Sequence, residues 1–546
     1  MQFLSLRICY NIQLSFDVCR LYNNFTLEHR INFKPITKLI MKKLSTIVFI
    51  VILSAIILFS AWPMLQGDID FNTDIARDFL LLEDVFYNKN ITLIGPHSGG
   101  IPGVFHGPLW LYLNLPAYII GGGNPVIVGW FWLVAFILSI GVVYYVGKNM
   151  FDKTTAMAGS LLFASSTGAS VYAFFNPAGA VLLAPLFMYL IWLYIKKKNP
   201  YVLGATMFVL GCIIQFQMAF GVPLLLVVTP IILYQIFRKV KKKKLLHIAA
   251  FLSIVIPLSS YALFELRHNF LQIHSVFNYL SGVENTGKVD ISFYDLLISR
   301  INTLINDTPG MVGSNVLWIT FLIVFSMMSG IVHGVKKLTF KNPYVLFIVM
   351  YLGYWVVTLP YKGAFWGYYY WPFVSIISII VASSHKYIGK KLFLSIVTII
   401  LLSNINMLYK KNVHDHEGVG GGWKFFHSIA KEVVEDAPSE FGYYVFTTDL
   451  FGYSSQYALH YEDRKNVDKT GFPYQKKPTT YLLIDDPGNH HAVNSVDWKL
   501  YDVRIKKKPD EIRQFSPTFF LHKYTLSPEE VEIPSNPNML NSLIFR

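Results

Sequence analysis

Apolar runs of about 18 residues or more recur along this chain, and nothing else constrains its fold as strongly. A bilayer core offers no water to unpaired backbone groups, so runs of that length must become helices that satisfy their own N–H and C=O groups. The composition agrees: 53% of the 546 residues are hydrophobic and only 15% are charged, whereas a soluble domain carries about 25% charged residues. The net charge of +14 raises the question of nucleic acid. The lysines, however, sit in short clusters directly after apolar runs, at Lys196–Lys198, Lys239–Lys244, Lys336–Lys341 and Lys386–Lys391. That placement is the positive-inside pattern of membrane proteins and not the basic patch of a nucleic-acid binder. Cys9, Cys19 and Cys212 imply no disulfide framework.

Residues 1–40 are mixed in character and carry no apolar signal-peptide region. Met41-Lys42-Lys43 before Leu44–Ala61 reads as a charged inner flank and a first span. Translation is therefore expected to begin at Met41, with 1–40 an extension or a short cytoplasmic segment; protein sequencing that begins at Met1 would refute this. Further spans are expected near 126–147, 154–173, 177–194, 201–218, 222–237, 245–264, 313–333, 344–360, 371–384 and 392–408, about eleven in all. Their alternation puts every lysine cluster on the inner side, and the first loop and the tail outside. Residues 104–120 are apolar but interrupted by Pro108, Asn114 and Pro116. Counting them as a span would invert all later loops, so they are expected to form a juxtamembrane or re-entrant helix. The fold class is thus an all-α polytopic membrane protein over 41–410. From about 411 to 546 the tail turns polar and reads as a small external α/β or α+β domain. Its helix is expected over Trp423–Val434 and its strands over Tyr443–Thr447, Thr480–Ile484 and Thr518–Tyr524.

The first external loop carries the richest chemistry. Thr73-Asp74 suits a helix start with acid at its positive end. Ile75, Phe79, Leu82 and Phe86 form an apolar stripe, while Asp74, Arg77, Asp78 and Asp84 point elsewhere, which describes an amphipathic helix on the membrane surface. Asp74, Arg77 and Asp78 share one face at i, i+3 and i+4. By periodicity alone this is a solvated face with an ordinary ion pair.

Asp74-x-x-Arg77 just after a first span, then Pro96, then His106-Gly107-Pro108-Leu109-Trp110-Leu111-Tyr112, resembles membrane glycosyltransferases of the GT-C fold. The resemblance is to the protein O-mannosyltransferases, the bacterial aminoarabinose transferases and their prokaryotic relatives, with an Asp-Glu-x-Arg-type motif followed by a Pro-Pro-Leu-x-Tyr-Trp-type segment. It implies an enzyme that takes a sugar from a polyprenyl- or dolichyl-phosphate and passes it, with inversion, to an acceptor hydroxyl outside the membrane. The lipid phosphate is already a competent leaving group, so the acceptor needs a base and the departing phosphate needs cations and hydrogen-bond donors. By position, Asp74 matches the family's catalytic aspartate and Arg77 its arginine.

The sequence departs from that pattern at Ile75, where relatives have Glu, and at Asp78, where they have an aromatic; Asp78 is therefore a second candidate base. His106 stands where the aminoarabinose enzymes have a phosphate-contacting lysine, and Tyr112 closes the same segment. Arg267 and His268 lie in Phe264-Glu265-Leu266-Arg267-His268, a patch resembling one in prokaryotic relatives. Arg267 is read either as a phosphate ligand or as an interfacial anchor that snorkels. Lys362, Trp366 and Tyr368–Tyr370 crowd another outer mouth, either as substrate contacts, with Lys362 on phosphate and Tyr368 on sugar, or as an aromatic belt. Asn176-Pro177 reads as a turn.

Asp68-Ile69-Asp70 has the form of a metal-gripping DxD, but lipid-phosphate donors need no metal in the families resembled, so no metal and no cofactor is expected. Gly121–Gly123 and Gly418–Gly422 read as turn and linker, and His414, His416, His490 and His491 as surface residues. Two competing readings are a flippase for a lipid-linked glycan and a membrane-anchored sensor. A transporter places ionisable residues near the bilayer midplane, whereas these spans are nearly free of charge; a sensor does not explain so many spans. The short lysine-rich inner loops favour a prokaryotic plasma membrane.

Overall fold

The computed structural model describes residues 33–240, 242–282, 291–314, 316–415, 421–449, 451–486, 488 and 494–539. Residues 1–32 of the expected extension lie outside the described residues, with Cys9, Cys19, His416, the glycines at 418 and 420, His490 and His491. Residues up to Ser54 form a unit of their own, helical where described, and Ala55–Arg546 form a second. The first helix, α1, runs Phe33–Leu65 and so begins ahead of Met41.

Among the described residues, seven helices are long and apolar enough to cross a membrane by length and composition: Lys43–Leu65, Pro125–Met150, Asn176–Lys197, Met218–Lys239, Lys244–Arg267, Leu317–Gly334 and Lys390–His414. The remaining expected spans form shorter helices at Lys153–Thr167, Pro200–Phe216, Pro343–Val357 and Val374–Ser383. Several begin on the same device. Asn124, Asn199 and Asn342 each accept a hydrogen bond from the backbone N–H two residues on, and a proline fills the next position. Asparagine satisfies an orphan donor, and proline has no N–H to waste at a helix start. Leu109–Ile120 is a helix about 18 Å long, too short for a core of about 30 Å. Pro108 precedes it and Pro116 is accommodated inside it.

Ends of the bundle differ in character. Asn176 and Lys196–Lys198 close opposite ends of one helix about 33 Å apart. Around the lysine end, Lys198 faces Lys341 and Lys239 and bonds to Gln235. The Trp192 indole donates to the Lys341 carbonyl at 3.0 Å, and Asp152 pairs with Lys386 at 2.9 Å and His385 at 3.0 Å.

The tail is an α/β domain. Its sheet has the order β2-β1-β3-β5-β4, with β1 Glu440–Phe446, β2 Thr470–Pro473, β3 Thr479–Asp485, β4 Glu511–Gln514 and β5 Phe519–Thr525. β1 runs parallel to β2 and β3, and β5 antiparallel to β3 and β4. The three expected strands are the three inner ones. The two edge strands were not expected from sequence, because Thr470–Pro473 is short and contains Gly and Pro, while Glu511–Gln514 is mostly polar. The helix Trp423–Asp436 buries Ile429, Ala430 and Val433 as its spacing predicts. Tyr453–Lys465, rich in Tyr, Ser and His, is a helix that periodicity did not reveal.

The tail docks on the first loop. Asp68, buried, accepts hydrogen bonds at Oδ1 from the N–H of Ile69 at 2.9 Å and of Lys424 at 2.8 Å. A first-loop carboxylate thus caps the tail helix Trp423–Asp436, whose own N-cap, Gly422, has no side chain to do so. The Trp423 N–H donates to the Ile69 carbonyl and the Phe71 N–H to the Gly421 carbonyl. Phe71, Phe79, Trp423 and Tyr457 then stack between loop and tail at centroid spacings of 5.0–5.7 Å.

Asp68→Ala strips the cap and leaves two N–H groups unpaired. It is expected to cost about 1–2 kcal/mol of tail docking, seen as faster proteolytic release of the tail from detergent-solubilised protein.

Candidate functional site

The helix Thr73–Tyr87 (α2) is where loop, bundle and tail meet. Its N-cap is Asn72, not Thr73: the Asn72 side chain accepts from the N–H groups of Asp74 and Ile75 at 3.1 and 3.2 Å. Nor does the helix lie on a surface. Ile75, Phe79 and Leu82 are buried as their spacing predicts, but so are Ala76, Asp78, Leu80 and Leu81. The tail helix Tyr453–Lys465 packs on the side of α2 that carries Phe79 and Glu83, with the Tyr457 ring 5.3 Å from that of Phe79. Glu83 of α2 accepts from His460 at 3.1 Å and pairs with Arg464.

At the start of α2 the Arg77 guanidinium lies between two carboxylates. Its Nη1 donates to Asp74 Oδ1 at 2.6 Å, and its Nη2 and Nε donate to Asp78 Oδ1 at 3.0 and 3.3 Å. Asp74 keeps 49% of its side-chain surface, Arg77 14% and Asp78 6%. Burial works against the charge on Arg77, but Asp78 and Asp74 outweigh it and hold the guanidinium above its ordinary value. Burial pushes the Asp78 carboxyl up to about 6, against the pull of Arg77. Asp78 Oδ2 is buried with no hydrogen-bond partner.

A cavity of about 610 Å³ opens on this group. Asp74 and Arg77 line it; Asp78 does not. Asp78 is therefore corrected from candidate base to a residue that fixes Arg77 from behind: with one oxygen on the guanidinium and the other sealed in, it cannot reach an acceptor. His106 lines the cavity, held there by a tight hairpin in which the Gly95 N–H donates to the His106 carbonyl at 2.7 Å and the His106 N–H to the Pro96 carbonyl at 2.9 Å. A Cβ on Gly107 would sit 1.8 Å from Gln215 Oε1, and one on Gly95 would sit 2.4 Å from the Gly107 carbonyl oxygen, so both positions of this close approach demand glycine. Burial, with Arg77 and His97 nearby, drives His106 down to about 3. It is neutral at physiological pH, so the residue expected to contact phosphate offers a neutral ring, whose Nδ1 lacks a partner.

Other expected site residues part company with the cavity. Arg267 and Lys362 are exposed and do not line it. Tyr112 donates its hydroxyl to the Thr92 carbonyl at 2.6 Å, and His268 stacks on Phe264 with Nδ1 2.9 Å from that residue's carbonyl oxygen; neither lines the cavity. Tyr368 does line it, beside Trp366. Asn176 and Pro177, expected to be only a turn, form part of the wall, with Asn176 anchored by donation to the Phe216 carbonyl at 2.9 Å. Sequence reasoning missed His97, Phe451 and Tyr453. His97 accepts from the Gly103 N–H at 3.3 Å, and burial keeps it below its usual value. Phe451 and Tyr453 come from the tail, about 375 residues downstream of α2. Asp68 caps a helix and Asp70 accepts from Asn72 at 3.2 Å, so each aspartate of the DxD has a structural task.

No protein-family model and no curated protein matches the sequence. Solved structures do. ArnT from Cupriavidus metallidurans in the apo state aligns with a TM-score of 0.59 at 10% identity, covering 88% of this chain and 98% of that one. The same protein bound to undecaprenyl phosphate aligns at 0.57 and 11%, with the same coverage. The oligosaccharyltransferase AglB from Archaeoglobus fulgidus aligns at 0.46 and 13%, over 76% of this chain and 64% of that one. The chain has the fold of ArnT, the GT-C fold.

Above about pH 6 Asp78 is a carboxylate that pins Arg77; below it the pairing weakens. Turnover at this site is expected to fall as pH drops through about 6, and Asp78→Asn to run at the low-pH rate throughout, without that inflection. Because the folded value lies above 3.8, the charged form is a cost to folding present above pH 6 and relieved below 3.8, so the variant keeps its fold.

Proposed function

We propose that this chain is an inverting glycosyltransferase that moves a sugar from a polyprenyl- or dolichyl-phosphate donor to an acceptor hydroxyl on the outer face of a cell membrane. The observation that carries the reading is the partly open Asp74, tethered to a buried Arg77 at the floor of a cavity within a GT-C fold. ArnT's capture of undecaprenyl phosphate supports a lipid-phosphate donor by analogy of fold. The lysine clusters lie at the end of the bundle away from the cavity, which under the positive-inside rule supports a reading with cavity and tail outside.

In this mechanism the acceptor O–H hydrogen-bonds to Asp74, which takes the proton as the oxygen attacks the anomeric carbon. The bond from that carbon to the phosphate oxygen breaks, and the lipid phosphate leaves with the electron pair. Attack from the face opposite the leaving group inverts the anomeric centre. Arg77 holds Asp74 in place through Nη1 and is the permanent cation nearest the developing phosphate charge, while the neutral His97 and His106 can hydrogen-bond to oxygen. A second apolar groove of about 510 Å³, walled by Val104, Tyr261, Val276, Phe277 and Leu280, suits the polyprenyl chain. Phe105 of the cavity wall lies next to Val104 in the chain and donates its N–H at 2.9 Å to Oε1 of Gln272, which lines the groove.

Purified protein given radiolabelled polyprenyl-phosphate sugars and a membrane extract is expected to transfer label with inversion, read as the anomeric configuration of the product. Asp74→Asn is expected to lower kcat by about 10²- to 10⁴-fold with donor KM little changed. Retained configuration, or no label moved from any such donor, would defeat the reading.

A further inference from the structure

Two aromatic pairs, from distant parts of the chain, line the cavity beside the ion triad. Trp366 and Tyr368 lie nearly parallel, 5° apart with centroids at 6.3 Å. Phe451 and Tyr453, from the tail, stack at 22° and 5.2 Å. Asp74 and Arg77 act electrostatically on Tyr368, and Arg77 on Tyr453, so both pairs stand close to the candidate base. Trp366 is 51% exposed and Phe451 44% exposed, in a protein that buries most other rings near this site. Aromatic surface left open inside a cavity is binding surface that the fold itself does not use.

The tail pair is also held in place. Asp449 accepts from the Thr73 hydroxyl at the start of α2, from the Thr447 hydroxyl at 2.6 Å and from the Phe451 N–H at 3.0 Å. One carboxylate thereby ties the segment bearing Phe451 to the residue preceding Asp74. Against burial, those hydrogen bonds keep Asp449 below its usual value and therefore charged.

We propose that the acceptor is itself a carbohydrate, with a sugar ring held on these aromatic pairs and one of its hydroxyls offered to Asp74. The proposal rests on the glycosyltransferase reading and names the acceptor class within it. A pyranose ring has a C–H face and a hydroxyl rim. Flat aromatic surfaces take the first, and Thr73, Asp74, His97 and Asn176 offer partners to the second. One common mode of peptide recognition adds an extended strand to a sheet edge, and no residue of β1–β5 lines the cavity to offer it. The donor's sugar arrives tethered to lipid from the groove beyond Phe105. The tail pair, which belongs to a different domain, is left to the acceptor.

The test uses the full-length purified protein, with polyprenyl-phosphate mannose and polyprenyl-phosphate glucose as donors and a membrane extract divided into three acceptor pools: untreated, proteinase K-digested and periodate-oxidised. Transfer is expected to survive proteinase and to be lost after periodate, which cleaves vicinal diols. With the untreated pool, Phe451→Ala is expected to raise acceptor KM about tenfold, leave donor KM unchanged and be rescued by Phe451→Tyr. Transfer that survives periodate but not proteinase, or a Phe451→Ala acceptor KM equal to wild type, would overturn the carbohydrate acceptor and leave the glycosyltransferase standing. No transfer from either donor into any pool, nor from other polyprenyl-phosphate sugars, would bring down the parent reading and this one with it.

Discussion

Arg77 sits between two carboxylates one helical turn from the start of a buried helix, and the rest of the site is arranged around that charge. A guanidinium in so dry a place costs several kcal/mol unless it is paired and hydrogen-bonded on both sides. Asp74 and Asp78 supply the pairing, but they are not equivalent. The inner carboxylate loses so much hydration that it titrates near 6, whereas the outer one keeps half its surface open to the cavity. Environment thus assigns the roles: Asp78 fixes the cation, and the cation fixes Asp74. The helix adds its own field, since the first turn carries partial positive charge toward Asp74.

That helix is buried between the tail and the helix Leu109–Ile120, whose Tyr118 packs on Phe79 and Phe86. Phe71 and Phe79 from the first loop meet Trp423 and Tyr457 from the tail in one aromatic cluster, and the Glu83 carboxylate bridges to His460 and Arg464. Asp68 supplies the cap that a glycine cannot. The tail is therefore a wall of the cavity as well as its neighbour, through Phe451 and Tyr453. First loop and tail, at opposite ends of the sequence, form one outer layer over the bundle.

Much of this was legible in the sequence, for identifiable reasons. Apolar length sets the spanning helices, and stretches rich in β-branched and aromatic residues mark the inner strands. Asp74 and Arg77 were legible because helical spacing places i and i+3 together whatever surrounds them. Burial was not legible. Nothing local distinguishes a buried Asp78 from an Asp78 in water, so its place behind Arg77 and off the cavity wall shows only in the folded chain. The charge of His106 was not legible either: its position suggested a phosphate contact, and its desolvation makes the ring neutral. Arg267 and Lys362 were singled out as rare outer cations, but the fold leaves both exposed and off the cavity wall. Phe451 and Tyr453 gave no signal at all, because a long-range docking contact has no period to detect.

The most direct test of Asp74 as the base is chemical rescue. Azide is a nucleophile with no proton to remove, so Asp74→Ala supplied with a polyprenyl-phosphate sugar and azide should form the inverted glycosyl azide while remaining inactive toward hydroxyl acceptors. If Asp74→Ala gives no azide product, or still transfers to hydroxyls at the wild-type rate, Asp74 does not serve as the base and the account built on it fails.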